Sequence, residues 1–184
     1  MKKSYFLGAV CTIAFIFITA QANAVPGPDK SLFTPPAWSK ILSPDVRFVH
    51  ALDDGAVLDK ETGLVWEKSP IKTHMTWYQA VDYCTKKELG GRLGWRLPAV
   101  EELASLVDTS QADPALPLGN PFINVQDYYY TMTTSPESGN VFSNYAYAVG
   151  FRGTIGPSKP PGKSIKLNVW CVRGGYGYDG FQNP

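Results

Sequence analysis

The sequence predicts an α+β fold class built as one mature domain, on three observations. A capped amphipathic segment and a second short helical segment lie in the middle of the chain. Runs rich in β-branched and aromatic residues flank them on both sides. Two cysteines, Cys84 in the first helix and Cys171 in the last strand run, are placed to join the two kinds of element. The aromatic share of 13% supplies bulk for a well-filled core.

The leader comes first. Lys2 and Lys3 precede an uncharged run from Tyr5 to Ala20, and Ala22-Asn23-Ala24 follows it, the pattern of a secretory signal peptide cleaved after Ala24. The rival reading, a membrane anchor, suits the run less well: it is short for a span and no stop-transfer charges follow. Cys11 does not mark a lipoprotein, since Val10 stands where a small residue is needed and the apolar run continues through Ile18. The division is therefore residues 1–24 as signal peptide, 25–44 as a Pro-rich arm and 45–184 as the domain. The protein is placed outside the inner membrane, extracellular or periplasmic, with no stable membrane insertion after cleavage.

Loss of the leader removes Lys2 and Lys3, so the formal net charge of +1 becomes about −1. Cys84 and Cys171 remain, and two cysteines in an oxidising compartment imply one disulfide, with two free buried thiols as the alternative. Closing a loop of roughly 87 residues is worth on the order of 4 kcal/mol in the chain-entropy account.

Pro26, Pro28, Pro35, Pro36 and Pro44 give the arm an extended character. Order begins near Arg47, where Val46 and Phe48 have strand character and AVLDKETGLVWEK reads as a hairpin turning at Gly63. Thr76, with Gln79 three residues on, matches a capping box for a helix to about Lys86. Trp77, Ala80, Val81 and Cys84 then share one core-facing stripe, from which Cys84 can reach Cys171. After Gly90-Gly91, a second helix runs from about Ala99 to Val107 with Leu103, Leu106 and Val107 inward. YYYTMTT, YAYAVGF and NVWCVRG are strands, and RGTIGPSKPPGKSIK is a long loop between the last two.

VLDKETGLVWEK, TWYQAVDYC, GGRLGWRLPAVEELASLVD and VWCVRGG, in that order from about Arg47 to Gly175, resemble the family typified by the C-terminal domain of the Legionella collagen-like adhesin. That family is similar to C-type-lectin-like and formylglycine-generating-enzyme-like folds. The resemblance implies two helices flanking twisted antiparallel strands, a long irregular loop region for ligand contact, and a disulfide from first helix to last strand. Ala99 departs from the commoner threonine cap, at a cost of about 1 kcal/mol to that helix.

The paired Glu101 and Glu102 do not converge on one bond, because adjacent helical residues point about 100° apart. They read as helix start, with Arg96 paired to one of them. His50 and His74 are the only histidines and no cysteine is left over, so no enzyme is expected; formylglycine-generating chemistry would need reactive cysteines. The Glu-Pro-Asn, Gln-Pro-Asp and Trp-Asn-Asp motifs of calcium-dependent sugar binding do not occur. No cofactor is expected beyond a structural calcium ion, for which Asp108, Asp113 and Glu137 are the candidate carboxylates.

What remains is an acid-free basic stretch: Arg152, Lys159, Lys163 and Lys166, near Tyr145 and Tyr147. These six residues are the candidate ligand-binding set for an anionic polysaccharide or cell-surface glycan, through charge and stacking. The lysines rank above the tyrosines, whose shared strand face suits core packing equally; the whole stretch also reads as a solvated loop. Nucleic acid is not expected for a secreted chain near neutrality. Two functional classes stand: an adhesive glycan-binding module, and a protein-binding module using the same loop face, with a residual enzyme in reserve.

Overall fold

The computed structural model describes residues 42–135, 144–158 and 161–174. The signal peptide, nearly all of the arm, Glu137 and Lys159 lie outside the described residues.

The chain first makes one helical turn, α1 (Pro44–Arg47), where Val46 was expected to be strand. Ser-Pro-Asp is a helix start: Pro44 takes the first position, where its missing N–H costs nothing, and the Ser43 carbonyl accepts from the Val46 and Arg47 amides. Three strands follow, β1 (Phe48–Ala51), β2 (Ala56–Asp59) and β3 (Leu64–Glu67), paired antiparallel. The expected β2–β3 hairpin turns at Gly63, which sits at φ 70° and donates its N–H to the Asp59 carbonyl at 2.8 Å. Arg47 pins this turn: Nε and Nη2 donate to the two Asp59 oxygens at 2.9 and 2.7 Å, Nη1 lies 3.2 Å from Glu61, and Nη2 also reaches the Ser105 carbonyl.

Strand β4 (Ile71–Met75) had no visible signal, because Lys72, Thr73 and His74 at its centre are all exposed. Helix α2 (Trp77–Lys86) follows with both halves of the capping box in place: Gln79 N–H donates to Thr76 Oγ1, and Thr76 N–H to Gln79 Oε1. Ala80 and Cys84 are fully buried, with Trp77 and Val81 half-buried beside them.

Helix α3 is shorter than expected, Val100–Ala104. Beyond Ala104 the Leu106 and Val107 amides bond three residues back instead of four, tightening the chain into a turn that still buries Leu106. Ala99 cannot cap the helix, and strand β5 (Tyr128–Thr134) supplies the missing acceptor: Thr133 Oγ1 takes the Val100 N–H at 3.0 Å. The capping loss expected from Ala99 is offset by a side chain 33 residues away.

Strand β6 (Ala146–Gly150) pairs with β5, and β7 (Gly156–Ser158) pairs with β6, so part of the expected long loop is an edge strand. Gly150 is obligatory in this hairpin, since a Cβ there would lie 1.9 Å from the Thr154 carbonyl oxygen. The last run is not one strand. It breaks at Trp170-Cys171 into β8 (Leu167–Val169) and β9 (Val172–Gly174), which belong to different sheets.

One sheet has the order β1-β2-β3-β9, and the other β4-β8-β5-β6-β7. The second is mixed: β8 lies parallel to β5, with Tyr129 opposite Asn168, whereas only antiparallel strands were expected. Two buried clusters result. One gathers Leu64, Trp66, Leu103, Tyr129, Phe151 and Val172 around Trp170. The other gathers Val65, Ala80, Trp95, Leu97 and Tyr130 around Cys84 and Cys171, which form a disulfide with Cα atoms 5.5 Å apart.

Replacing Cys84 and Cys171 together by Ala should lower stability by up to about 4 kcal/mol, the chain-entropy value for a loop of this size. Denaturant unfolding with and without reductant measures it. Two alkylated thiols in the unreduced mature protein, seen by intact mass, would refute the linkage.

Candidate functional site

The conspicuous Trp-Arg-Leu-Pro segment is frame. Arg96 exchanges both backbone hydrogen bonds with Val172, at 2.8 and 2.9 Å, which lays it along the outer edge of β9. Its guanidinium then grips Glu102 with two bonds of 2.7 Å each, while a Glu102 oxygen also accepts the Ala99 N–H. Glu102 rather than Glu101 is the partner, because only Glu102 points back along the helix to its own start; Glu101 is exposed.

The candidate ligand residues that lie among the described residues separate into four places. Arg152 sits beyond β6 and is ion-paired with Asp113, with Asp127 3.9 Å from its Nε. The stretch is acid-free in sequence but not in space. Tyr147 is half-buried in β6, and its carbonyl accepts the Thr131 hydroxyl. Of the calcium candidates, Asp108 accepts from Ser110 and Asp113 faces Arg152. His50 is paired with Asp54 across the β1–β2 turn.

Lys163 and Tyr145, by contrast, come together with two residues the sequence reading had not assigned to a site, Trp77 and Tyr78. The Lys163 carbonyl accepts the Trp77 N–H at 3.0 Å, and the Lys163 N–H donates to Asn144 at 2.7 Å. Tyr145 bridges to Gly162 alongside. The Lys163 ammonium lies 4.5 Å from the centre of the Trp77 ring, and the Tyr78 ring meets that indole edge-on at 5.2 Å. Trp77 is fixed by its Nε1–H, which donates to the Thr131 carbonyl. Tyr78 is 62% exposed and Ile165 51%, so the surface is aromatic, partly apolar and flanked by cations. A signal for Tyr78 was present: the stripe of Trp77, Ala80, Val81 and Cys84 is centred near Trp77, and Tyr78 lies about 100° round the helix from that centre.

The turn that carries Lys163 is held from beneath. The Tyr130 hydroxyl lies 2.9 Å from the Gly162 carbonyl and 2.7 Å from that of Ile165, and burial pushes this phenol up to about 12. Lys166, three residues on, lies on the far side of α2's first turns, lining a groove with His74 and Lys86.

A family model described as the Lcl C-terminal domain matches residues 55–173. The chain belongs to the Lcl C-terminal domain family. The match covers both sheets from the β1–β2 turn to β9, including the Trp77 surface and the disulfide. No curated protein matches the chain. Membership of the Lcl C-terminal domain family makes the chain an adhesion-type module. Among the described residues no helix is long and apolar enough to cross a membrane.

Two predictions follow from the frame and the turn. Burial opposes the Glu102 charge, but the Arg96 hydrogen bonds, the Ala99 N–H and the Arg96 charge outweigh it and hold the carboxyl below the ordinary 4.5. A depressed folded-state value gives stability that is present above the unfolded value and lost as pH falls through the folded one. Glu102→Gln should therefore cost about 1–3 kcal/mol at neutral pH, and its difference from wild type should shrink below pH 4.5. Glu101→Gln should stay within about 0.5 kcal/mol. Urea unfolding across pH separates them. Tyr130→Phe should cost about 1 kcal/mol and free the 162–165 turn, read as faster amide exchange at Lys163 and Ile165.

Proposed function

We propose that this domain is a non-catalytic adhesive module, extracellular or periplasmic, that binds anionic glycans through the surface formed by Trp77, Tyr78, Tyr145 and Lys163. The observation that carries the reading is the Lys163 ammonium seated over the Trp77 ring with Tyr78 exposed at its edge. Aromatic faces pack on the apolar faces of sugar rings, and adjacent cations meet sulfates or carboxylates. Membership of an adhesion-type family supports the same reading.

Each such contact is weak. A cation over an aromatic ring at a partly exposed site is worth about 0.5–1 kcal/mol, and exposed charges are screened beyond about 8–10 Å in physiological salt. Useful adhesion therefore requires several contacts per domain, or several domains on one surface. Exposed Ile165, in the turn that carries Lys163, supports a second reading, a protein ligand docked on that turn.

Retention of the purified mature chain on a heparin column tests the first reading. Elution should shift to lower salt for Lys163→Gln and for Tyr78→Ala with unchanged melting curves, and further for Lys159, Lys163 and Lys166 replaced together by Gln. Arg152→Gln should move it least, because Arg152 already faces Asp113. Unchanged retention of the triple variant defeats the glycan assignment, and a protein recovered by crosslinking at Tyr78 in its place establishes the second reading.

A further inference from the structure

The β5–β6 ladder slips between its Tyr130–Ala148 and Thr134–Ala146 pairs, so that residues 131–133 of β5 stand opposite Tyr147 alone. Extra residues in such a bulge leave the ladder, and their polar groups turn elsewhere. The buried Thr131 hydroxyl donates to the Tyr147 carbonyl at 2.9 Å, and the Thr131 carbonyl accepts the Trp77 indole N–H at 2.9 Å. The Met132 amide donates to the Pro98 carbonyl, and the Thr133 hydroxyl takes the Val100 amide. The bulge is therefore what aims a backbone carbonyl at the indole.

Trp77 is fixed in other directions as well. Its amide donates to the Lys163 carbonyl, and its side chain packs against the buried cluster around Cys84 and Cys171. The Lys163 ammonium stands over the ring, 4.5 Å from its centre, and the Tyr78 ring meets the indole edge-on. The backbone of Lys163 is held on both sides, by the Asn144 carbonyl and the Trp77 amide, so the stem of this ammonium starts from a fixed point. A sugar ring stacked on that face of the indole would need the space that the ammonium fills.

Charged and uncharged sugars meet this arrangement differently. An ammonium carries three N–H donors, and one that lies on a ring still turns donors outward, where a sulfate or carboxylate finds the cation already in place. An uncharged sugar brings no charge to replace the cation–ring attraction, and it reaches the indole face only by driving the ammonium off. Discrimination then comes as much from the contact denied to one ligand as from the contact offered to the other.

We propose that Lys163 is the specificity-determining residue of the Trp77 surface: its ammonium occupies the indole face, so that anionic glycans bind through it and uncharged glycans are kept from stacking there. The proposal rests on the glycan reading above and deepens it, since it assigns to one side chain the preference for charge. Exposed Tyr78 remains open to both kinds of sugar.

NMR titration of the mature chain tests this, read at the Trp77 indole N–H, the resonance that Trp77→Phe lacks. The probes are a heparin-derived hexasaccharide and uncharged cellohexaose at one ionic strength. Lys163→Ala retains both backbone bonds of residue 163, so its melting curve should hold; Lys163→Gln repeats the measurement if it does not. The substitution should weaken hexasaccharide binding about 2- to 5-fold and strengthen cellohexaose binding by a similar factor, the range set by one cation over a partly exposed ring. Lys163→Arg keeps the charge and should keep the wild-type preference. Cellohexaose binding that is unchanged, weakened or undetectable in Lys163→Ala overturns the assignment, while the glycan reading stands as long as the wild-type chain binds the hexasaccharide. If the wild-type chain does not bind the hexasaccharide, the glycan reading and the role of Lys163 fall together.

Discussion

The fold depends on the joint at Trp170-Cys171, where the chain leaves one sheet and enters the other within two residues. Because successive side chains point to opposite sides, Trp170 drives into one buried cluster and Cys171 into the other. Trp170 meets Trp66, Phe122, Tyr129 and Phe151 with ring centres 5.1 to 5.8 Å apart, in edge-on or tilted contacts. Cys171 is bonded to α2 through Cys84. Both sheets, both cores and helix α2 are therefore referred to a single dipeptide. Glu67 meets three of its polar groups: the Glu67 carbonyl accepts the Trp170 indole N–H at 2.9 Å, the carboxylate accepts the Cys171 amide at 2.7 Å, and the Glu67 N–H donates to the Cys171 carbonyl.

Charge reinforces the same joint. Lys87, whose amide donates to the Cys84 carbonyl, sends its ammonium to the Glu67 carboxylate that holds Cys171. The ion pair thus runs beside the disulfide and links the same two segments. Burial opposes the Lys87 charge, but the Glu67 carboxylate and the Tyr83 hydroxyl outweigh it and hold the amine above its ordinary value. A raised amine contributes stability below its unfolded value and loses it only as pH rises through the folded one, while burial raises the partner carboxyl of Glu67. Removing either partner would strand a buried charge, which is why such pairs cost far more to break than they contribute when whole.

How much of this was legible follows from where the determining partner lies. The α2 capping box, its buried stripe and the β2–β3 turn at Gly63 were readable because every group involved is within a few residues of its partner. The disulfide was readable because compartment and cysteine number left few alternatives. The break at Trp170-Cys171 was not, since NVWCVRG has uniform strand character and only packing against two separate sheets divides it. Strand β4 is polar at its centre and is held by pairing with β8, a partner about 95 residues away. At the surface, the basic residues were visible but their grouping was not: Asp113 neutralises Arg152 from 39 positions off, and Trp77 joins Lys163 across 86.

Trp77 shows why the candidate surface and the fold's centre are not independent. Its amide is tied to Lys163, its indole to Thr131 of β5, and its helix to the last strand through Cys84. Tyr130, also in β5, holds the other end of the Lys163 turn. The ring and the ammonium are thus set in place by strands, a disulfide and the turn's backbone, not by the turn's side chains. Side chains ordered in advance lose little rotamer freedom when a ligand arrives, so a surface of individually weak contacts keeps more of each one. Residues 161–166, ahead of β8, are free to differ in sequence without losing that geometry, provided Gly162 and Ile165 still offer their carbonyls to Tyr130. Such a surface can change its ligand by changing Lys163, Tyr145 or Ile165 alone, because none of the three contributes to the core that positions it.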